Sequence, residues 1–582
     1  MTPAAPEVLE PSRSTGAPAE VGTTRLFGGE LIASARTTGE GLGVGGSVVV
    51  GRDPAANVQI PSPNVSRMHA LIERGETTWH VTDLGSTNGT WLNGEQLAPK
   101  ARTKVRDDDD LRLGPHPIEL AQLADDGSLS MRLAGLHVDV RSLTAPGLER
   151  VGFVATPGEL VLVLSGTSEN TAALHALLAG AARPSSGQVL LDGLSLGRHG
   201  SLFRRAVGAT PRDPFADSHL SARELLLEHG RLTLGRELSP RELTAYVDET
   251  LRRFDLVPVA NDPVGKTLAL TQRRQLAILC ELLHEPSLLL LDGLLDGLPG
   301  PAATELAHRA RRLADEGRTV FVSAVRPPLA AWTAADKILV LTARGRVAWF
   351  GPPGETADWF GFKKSTREPA TAVLAALGED DAPLFPAGAW SGRWRDSEPR
   401  SVHVTARRWA RSPRSARARI RWLPRARTPG VMRELRAALV ERATTLVRDR
   451  RALFVQWLAV PLMAALALFL VRSAEEGWLT LSSAAAIDLA VIGAALFLGM
   501  HDAARRLARG AASALPVRPT VSFAAPLLLA GAVVPAQLLT VALIAAAGSP
   551  SGAQELPNLL AVAFLGWSTS VLGSVLWGAT DA

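Results

Sequence analysis

The chain has 582 residues, of which 46% are hydrophobic, and its 62 Lys and Arg against 57 Asp and Glu give a formal net charge of +5. That length predicts several domains, and a mean hydropathy of +0.11 leans towards the membrane class. A single cysteine, Cys280, excludes intrachain disulfides and cysteine-built zinc sites, and twelve histidines without ligand-like spacing predict no metal. Residues 1–24 are rich in Pro, Ala, Ser and Thr and too poor in apolar residues to fold alone, which predicts a disordered tail. No charged segment precedes an apolar core there, so the start is not read as a signal peptide. Thr15, Thr23 and Thr24 are candidate phosphorylation sites in that tail, although a plain tail is the preferred reading.

The stretch from Gly51 to Gly94 reads GRDPAANVQIPSPNVSRMHALIERGETTWHVTDLGSTNGTWLNG. Apolar and polar residues alternate through Ala70–Ile72 and Trp79–Thr82 with Asn, Gly and Ser turns between them, predicting a half-buried all-β sandwich over 25–125. Loops at one end would gather a guanidinium, a hydroxyl and an amide, a receptor for a doubly charged phosphate. Gly-Arg at Gly51–Arg52, Ser-Arg-x-His at Ser66, Arg67 and His69, and Gly-Ser-Thr-Asn-Gly at Gly85–Gly89 together resemble the forkhead-associated (FHA) domain, a phosphothreonine reader. The resemblance implies that Arg52 and Ser66 are phosphate ligands, with Arg67 and Thr87 at the rim and Asn88 on the peptide main chain. His69 is expected to brace the loop from within. Gly89 and Gly94 are read as turn glycines, and Asp107–Asp110 as a solvated acidic turn without the oxygen spacing of a calcium loop.

From about residue 131 to 365, apolar strands alternate with amphipathic helices, and Leu160–Leu164 and Leu288–Leu291 are continuous apolar runs typical of buried parallel strands. PGELVLVLSGTSENTAALHALLAGAARPSSGQVLLDG, LALTQRRQLAILCELLHEPSLLLLDG and GRVAWFGPPGETADWFG follow in the order of an ATP-binding cassette (ABC) domain and resemble it, implying an α/β P-loop-type fold. A working phosphate loop needs glycines, a Lys on the terminal phosphates and a hydroxyl on magnesium. Here Asn170, Thr171 and Ala172 occupy those positions, and acidic Glu169 joins them. Each lost charge-assisted contact costs roughly 1.5–3 kcal/mol, so ATP and magnesium binding is expected to be weak or absent. Against the family pattern, Gly293 stands for the catalytic carboxylate, Arg212 for the metal-sensing Gln and Val325 for the switch His, while Asp292 is kept. No aromatic lies around Val138–Val140 to stack on adenine. The signature reads Leu268-Ala269-Leu270-Thr271-Gln272 where the family has Leu-Ser-Gly-Gly-Gln, so a healthy partner subunit would not repair either composite site. Gly265-Lys266-Thr267 follows no apolar strand and is read as a helix-to-loop turn. The expectation is a degenerate, non-catalytic ABC domain.

Residues 366–430 are read as a basic linker, dense in Arg between Arg407 and Arg427, and suited to an anionic cytoplasmic leaflet rather than to nucleic acid. Apolar stretches near 452–472, 481–500, 519–547 and 556–578 are each about long enough to cross a bilayer as helix, predicting an all-α transmembrane domain over 431–582. Arg442–Arg451 before the first stretch and Arg505, Arg506 and Arg509 after the second place both termini in the cytosol of a plasma-membrane protein. Asp488 is expected to face water or a neighbouring helix. LVRDRRALFVQWLAVPLMAALALFLV and LFLGMHDAARRLARG resemble the opening half of an ABC-G-type membrane domain, whose members have six spans where four are read here. The combined expectation is a membrane-anchored phosphothreonine-reading scaffold downstream of a Ser/Thr kinase, with threonine-phosphorylated proteins and membrane lipids as partners. The alternative is an exporter subunit regulated through its reader, working as a homodimer or with an ABC partner subunit.

Overall fold

Short segments alternating inward apolar and outward polar side chains build the first domain. Trp79–Asp83 buries Trp79, Val81 and Asp83, while His80 and Thr82 stay half-buried. The computed structural model describes residues 31–34, 41–125, 128–131, 133–380 apart from 217 and 236, 389–408, 422–423 and 429–448, with single positions between 462 and 528. One sheet runs in the order Val58–Gln59, Ser47–Gly51, Ala70–Arg74, Trp79–Asp83 and Arg102–Val105. The second runs Leu31–Ser34, Ser128–Met131, His116–Glu119, Leu111–Leu113, Thr90–Leu92 and Glu95–Gln96. Val50, Ile72, Val81 and Val105 from the first meet Leu111, Leu113, Ile118 and Leu129 from the second in one core.

The second domain is layered α/β. Its six-stranded sheet orders Val207–Thr210, Leu288–Leu291, Thr319–Ala324, Leu160–Ser165, Lys337–Leu341 and Val347–Gly351, and only the last strand pairs antiparallel. Leu288–Leu291 and Leu160–Ser165 are buried throughout, because helices such as Ser168–Leu178 and Gly300–Asp315 cover the sheet. An antiparallel sheet of Leu148–Ala155, Val138–Ala145, Ser186–Leu191 and Leu194–Ser195 packs into the same core. Ala222–Leu234, Pro240–Arg253 and Leu270–Leu282 form a helical subdomain around Leu225, Val247 and Leu279. The first two of these helices open with capping boxes, Ser221 with Glu224 and Ser239 with Glu242, each satisfying two otherwise orphaned amides. Gly265-Lys266-Thr267 lies on the short helix Val264–Thr267.

Part of the stretch read as a linker is folded. Pro369–Asp380 and Ala389–Arg395 are helices, and Trp394 sits 5.4 Å from Trp349, which lies 5.2 Å from Trp359. Tryptophan area outweighs the charge of the surrounding arginines, and the charges find local partners. Arg407 pairs with Glu159 and donates to Thr156 Oγ1 at 2.9 Å, and Arg408 faces Asp139 at 3.8 Å. These two arginines are therefore held by the α/β domain rather than set aside for lipid. The expected tail at 1–24 and Asp488 lie outside the described residues, as do all but single positions of the four apolar stretches. Among the described residues no helix is long and apolar enough to cross a membrane.

Burial lowers the pKa of His229 to about 4 and, as the leading cause, does the same for His69 and His175. The unfolded chain takes up protons below about pH 6.5 that the folded chain refuses until about pH 4, so stability falls as pH drops through that window. His229→Leu should flatten the pH dependence of thermal unfolding between pH 6.5 and 4.5 by at most about 1.4 kcal/mol per pH unit. An unchanged slope in the variant would mean that His229 is not held neutral.

Candidate phosphate-recognition and nucleotide-type sites

Close backbone approach builds the first site. A Cβ at Gly51 would lie 1.9 Å from the Arg67 carbonyl oxygen, so only glycine lets the end of Ser47–Gly51 meet the 66–68 loop. The Arg52 amide then donates to the Ser66 carbonyl at 2.9 Å. Across the cleft, the Thr87 amide donates to Ser66 Oγ at 2.9 Å and Asn88 Nδ2 donates to the Asn64 carbonyl at 2.8 Å. Arg52, Ser66, Arg67, Thr87 and Asn88 line one open cleft of about 500 Å³, with Arg67 and Thr87 exposed at its edge. The structure thus brings together all five residues singled out from the sequence.

Two buried groups hold the loops around that cleft. His69 Nδ1 accepts from the Ser66 amide at 3.1 Å and its Nε2 lies 3.3 Å from the Gly89 carbonyl. An accepting Nδ1 on a neutral ring leaves the proton on Nε2, directed at that carbonyl. Asp83, which sequence reasoning passed over, accepts from the amides of Gly85 and Ser86 at 2.8 and 2.9 Å, and from the hydroxyls of Ser86 and Thr90 at 2.6 and 2.7 Å. Burial works against its charge, but hydrogen bonds from Ser86 and Thr90 outweigh that and hold the carboxyl below the usual carboxylate range. Its signal was an Asx-type turn, Asp83-Leu84-Gly85-Ser86, beside the glycine-rich block.

The α/β domain closes on the same cleft. Arg52 Nη2 lies 2.9 Å from Glu242 Oε1, and Nη1 donates to the Glu237 carbonyl at 3.1 Å. Arg205 bridges Glu237 at 2.8 Å and Asn64 Oδ1 at 3.3 Å. Glu285 accepts from Ser62 Oγ at 2.6 Å and Asn64 Nδ2 at 2.8 Å, and meets His116 Nε2 at 3.0 Å. Burial favours the neutral acid at Glu285, but His116, Ser62 and Asn64 together keep its carboxyl below the usual range. No local pattern in the sequence marks these acidic residues.

The second site lies at the C-terminal ends of the parallel strands, where open α/β sheets place their ligands. Asn170 Nδ2 donates to the carbonyls of Thr342 and Ala343, both at 3.1 Å. Arg212 reaches across the site, donating to Thr171 Oγ1 at 3.2 Å, with Asp292 at 3.5 Å and Asp296 at 2.9 Å. Ser323 Oγ donates to Asp292 at 2.6 Å and receives the Gly293 amide at 2.8 Å. Gly293 has φ +57°, and a Cβ there would come 2.7 Å from the Arg212 side chain. Among the described residues no His, Cys, Asp or Glu group is arranged to hold a metal ion.

Residues 48–114 match the family model of the FHA domain, and residues 153–294 that of the ABC transporter. The chain is 27% identical to the ABC transporter ATP-binding/permease protein Rv1747 of Mycobacterium tuberculosis over 61% of its length and 42% of the relative's. Against Protein white of Drosophila melanogaster it is 30% identical over 40% of this chain and 35% of that one. ABC transporter G family member 21 of Arabidopsis thaliana is 29% identical over 37% of this chain and 32% of its own. The chain therefore spans less than half the length of each of these relatives. A solved ATP-binding subunit of an ABC transporter aligns over 41% of this chain and 99% of its own, at 22% identity and a TM-score of 0.36.

Asp83→Ala removes the acceptor for four donors, which should lower the unfolding free energy of the sandwich by about 1–3 kcal/mol. Urea denaturation followed by the fluorescence of the domain's tryptophans reads the shift. A midpoint identical to that of the parent chain would remove Asp83 as the organiser of the loop.

Proposed function

We propose that this chain is a phosphothreonine-reading scaffold or regulator, held at the cytosolic face of the membrane and built on an ABC-like domain that does not turn over ATP. One contrast carries the reading. The sandwich cleft gathers Arg52, Ser66 and Asn88 around an opening large enough for a phosphorylated side chain, and Arg52 is held there by one partly exposed carboxylate and one carbonyl, whereas the cation of the nucleotide-type site is held by two largely buried carboxylates. A phosphate there would meet acidic Glu169 and find Thr171 in place of a lysine, and Arg212 is shared between Thr171 and two carboxylates. This donor set does not suit a magnesium-bound triphosphate, which needs a hydroxyl and a free carboxylate for the metal. Partners on this reading are threonine-phosphorylated proteins and the kinase that prepares them. The anchor is the apolar C-terminal third, inferred from its sequence.

The purified full chain should be retained by beads carrying a phosphothreonine peptide and pass those carrying the unmodified peptide. Arg52→Ala should weaken retention roughly tenfold or more, since it removes a charge-assisted ligand. Equal retention on both peptides would sink the reader role.

The second reading, an ABC-G-type exporter subunit regulated through the same reader, is favoured by the relatives' names, which are those of transporters. Nucleotide binding separates the two. The scaffold reading expects no magnesium-dependent ATP binding at micromolar concentration, and sustained hydrolysis abolished by Asp292→Asn would decide for the exporter.

A further inference from the structure

The cleft that gathers Arg52 is not open to solvent on every side. Its guanidinium, 14% exposed, is engaged by Glu242 Oε1 at 2.9 Å and by the Glu237 carbonyl at 3.1 Å, and Glu237 lines the cleft. Both acceptors come from the helical subdomain, at the start of the helix Pro240–Arg253. Glu242 is held ready for this contact. Its second oxygen accepts the Ser239 amide at 2.8 Å in the capping box, which fixes the carboxylate at the first turn of the helix. An acidic group at that position is also favoured by the helix dipole.

We propose that Glu242 is a built-in competitor for the phosphate cleft, an internal carboxylate that occupies Arg52 until a phosphothreonine displaces it. The proposal rests on the reader role of the sandwich. Phosphate carries roughly two charges and three acceptor oxygens against one charge and two oxygens on the carboxylate, so it wins the guanidinium when present. Release removes the Arg52 bond from Glu242 but not its cap to Ser239, so the helix stays folded while its first turn loses one of its two tethers. Peptide binding and the Arg52–Glu242 contact then exclude one another, and by linkage the peptide loosens the first turn of this helix as much as the helix weakens the peptide. Phosphorylation of a partner is in this way transmitted from the sandwich to the helical subdomain of the ABC-like domain.

Glu242→Gln tests this, because Gln keeps the capping box while removing the charge. In the full chain, affinity for a phosphothreonine peptide should rise roughly threefold, the gain expected from deleting one partly exposed competing ion pair. Glu249→Gln on the same helix, whose carboxylate pairs with Arg252 and Arg253 instead, should leave the affinity unchanged. In the parent chain, added phosphopeptide should speed amide hydrogen exchange in the segment 237–243, and the unphosphorylated peptide should not. Unaltered affinity in Glu242→Gln, with binding still lost in Arg52→Ala, would overturn the competitor while leaving the reader intact. Absence of phosphopeptide binding in the parent chain and in Glu242→Gln alike would overturn both.

Discussion

A carboxylate cannot be buried between two domains without donors, and Glu285 dictates how this molecule is put together. Its oxygen is met by Ser62, Asn64 and His116 from the sandwich, while its backbone belongs to the turn that leads into the strand Leu288–Leu291. Glu285 takes a left-handed backbone conformation, φ +55°, a position that side chains rarely adopt without support from their surroundings. Removing one hydrogen bond from such a buried charged group typically costs about 1.5–3 kcal/mol. Arg205, bridging Glu237 and Asn64, joins the same two faces, and the cleft lined by Arg52 lies beside the helix Pro240–Arg253.

The two anion-type sites of the chain solve opposite electrostatic problems. In the sandwich, loop backbones are pulled together by Asp83 and His69, so Arg52, Ser66 and Asn88 are preorganised without spending their side chains on one another. In the α/β domain, Asp292 and Asp296 both face the site, and their carboxylates are met by one cation. Arg212 supplies it from within the chain, and the backbone of Arg212 is in turn gripped by Arg274, which also donates to the carbonyls of Leu294 and Asp296. Arg212, Arg274 and the two carboxylates thus form one compact internal network at this site. Gly293 belongs to the same arrangement, since a side chain there would meet the arginine.

What the sequence made legible is what depends on neighbours along the chain. Alternation through Ala70–Ile72 and Trp79–Thr82 and the apolar run Leu288–Leu291 each encode a local structure by period. The five cleft residues were legible through the resemblance of three sequence blocks to one domain family. Glu242 and Glu285 were not. Their roles come from a docking geometry that joins residues about two hundred positions apart, and a glutamate on a helix start has an adequate local explanation as a cap. The segment around Trp390 and Trp394 was read together with the Arg-dense stretch that follows it, while its tryptophans pack against Trp349 and Trp359 of the α/β domain.

The domain contact therefore has two tiers of different strength. Glu285 is enclosed and is met by three groups of the sandwich. The Arg52–Glu242 pair lies at the rim, with the carboxylate 37% exposed, and pairs of that kind contribute about 1 kcal/mol or less once solvent screening is counted. A contact this weak is readily exchanged, and an incoming dianion has only to outbid a single screened carboxylate and one backbone carbonyl. The strong tier ensures that such an exchange leaves the sandwich beside the helical subdomain, so the consequence is confined to the first turn of Pro240–Arg253. An interface sealed throughout by apolar packing would offer no such step, since opening it would expose the whole surface at once. On the proposed reading, a polar contact on Arg52 makes the cleft sensitive to its own chain, and that sensitivity follows from how the two domains are held together.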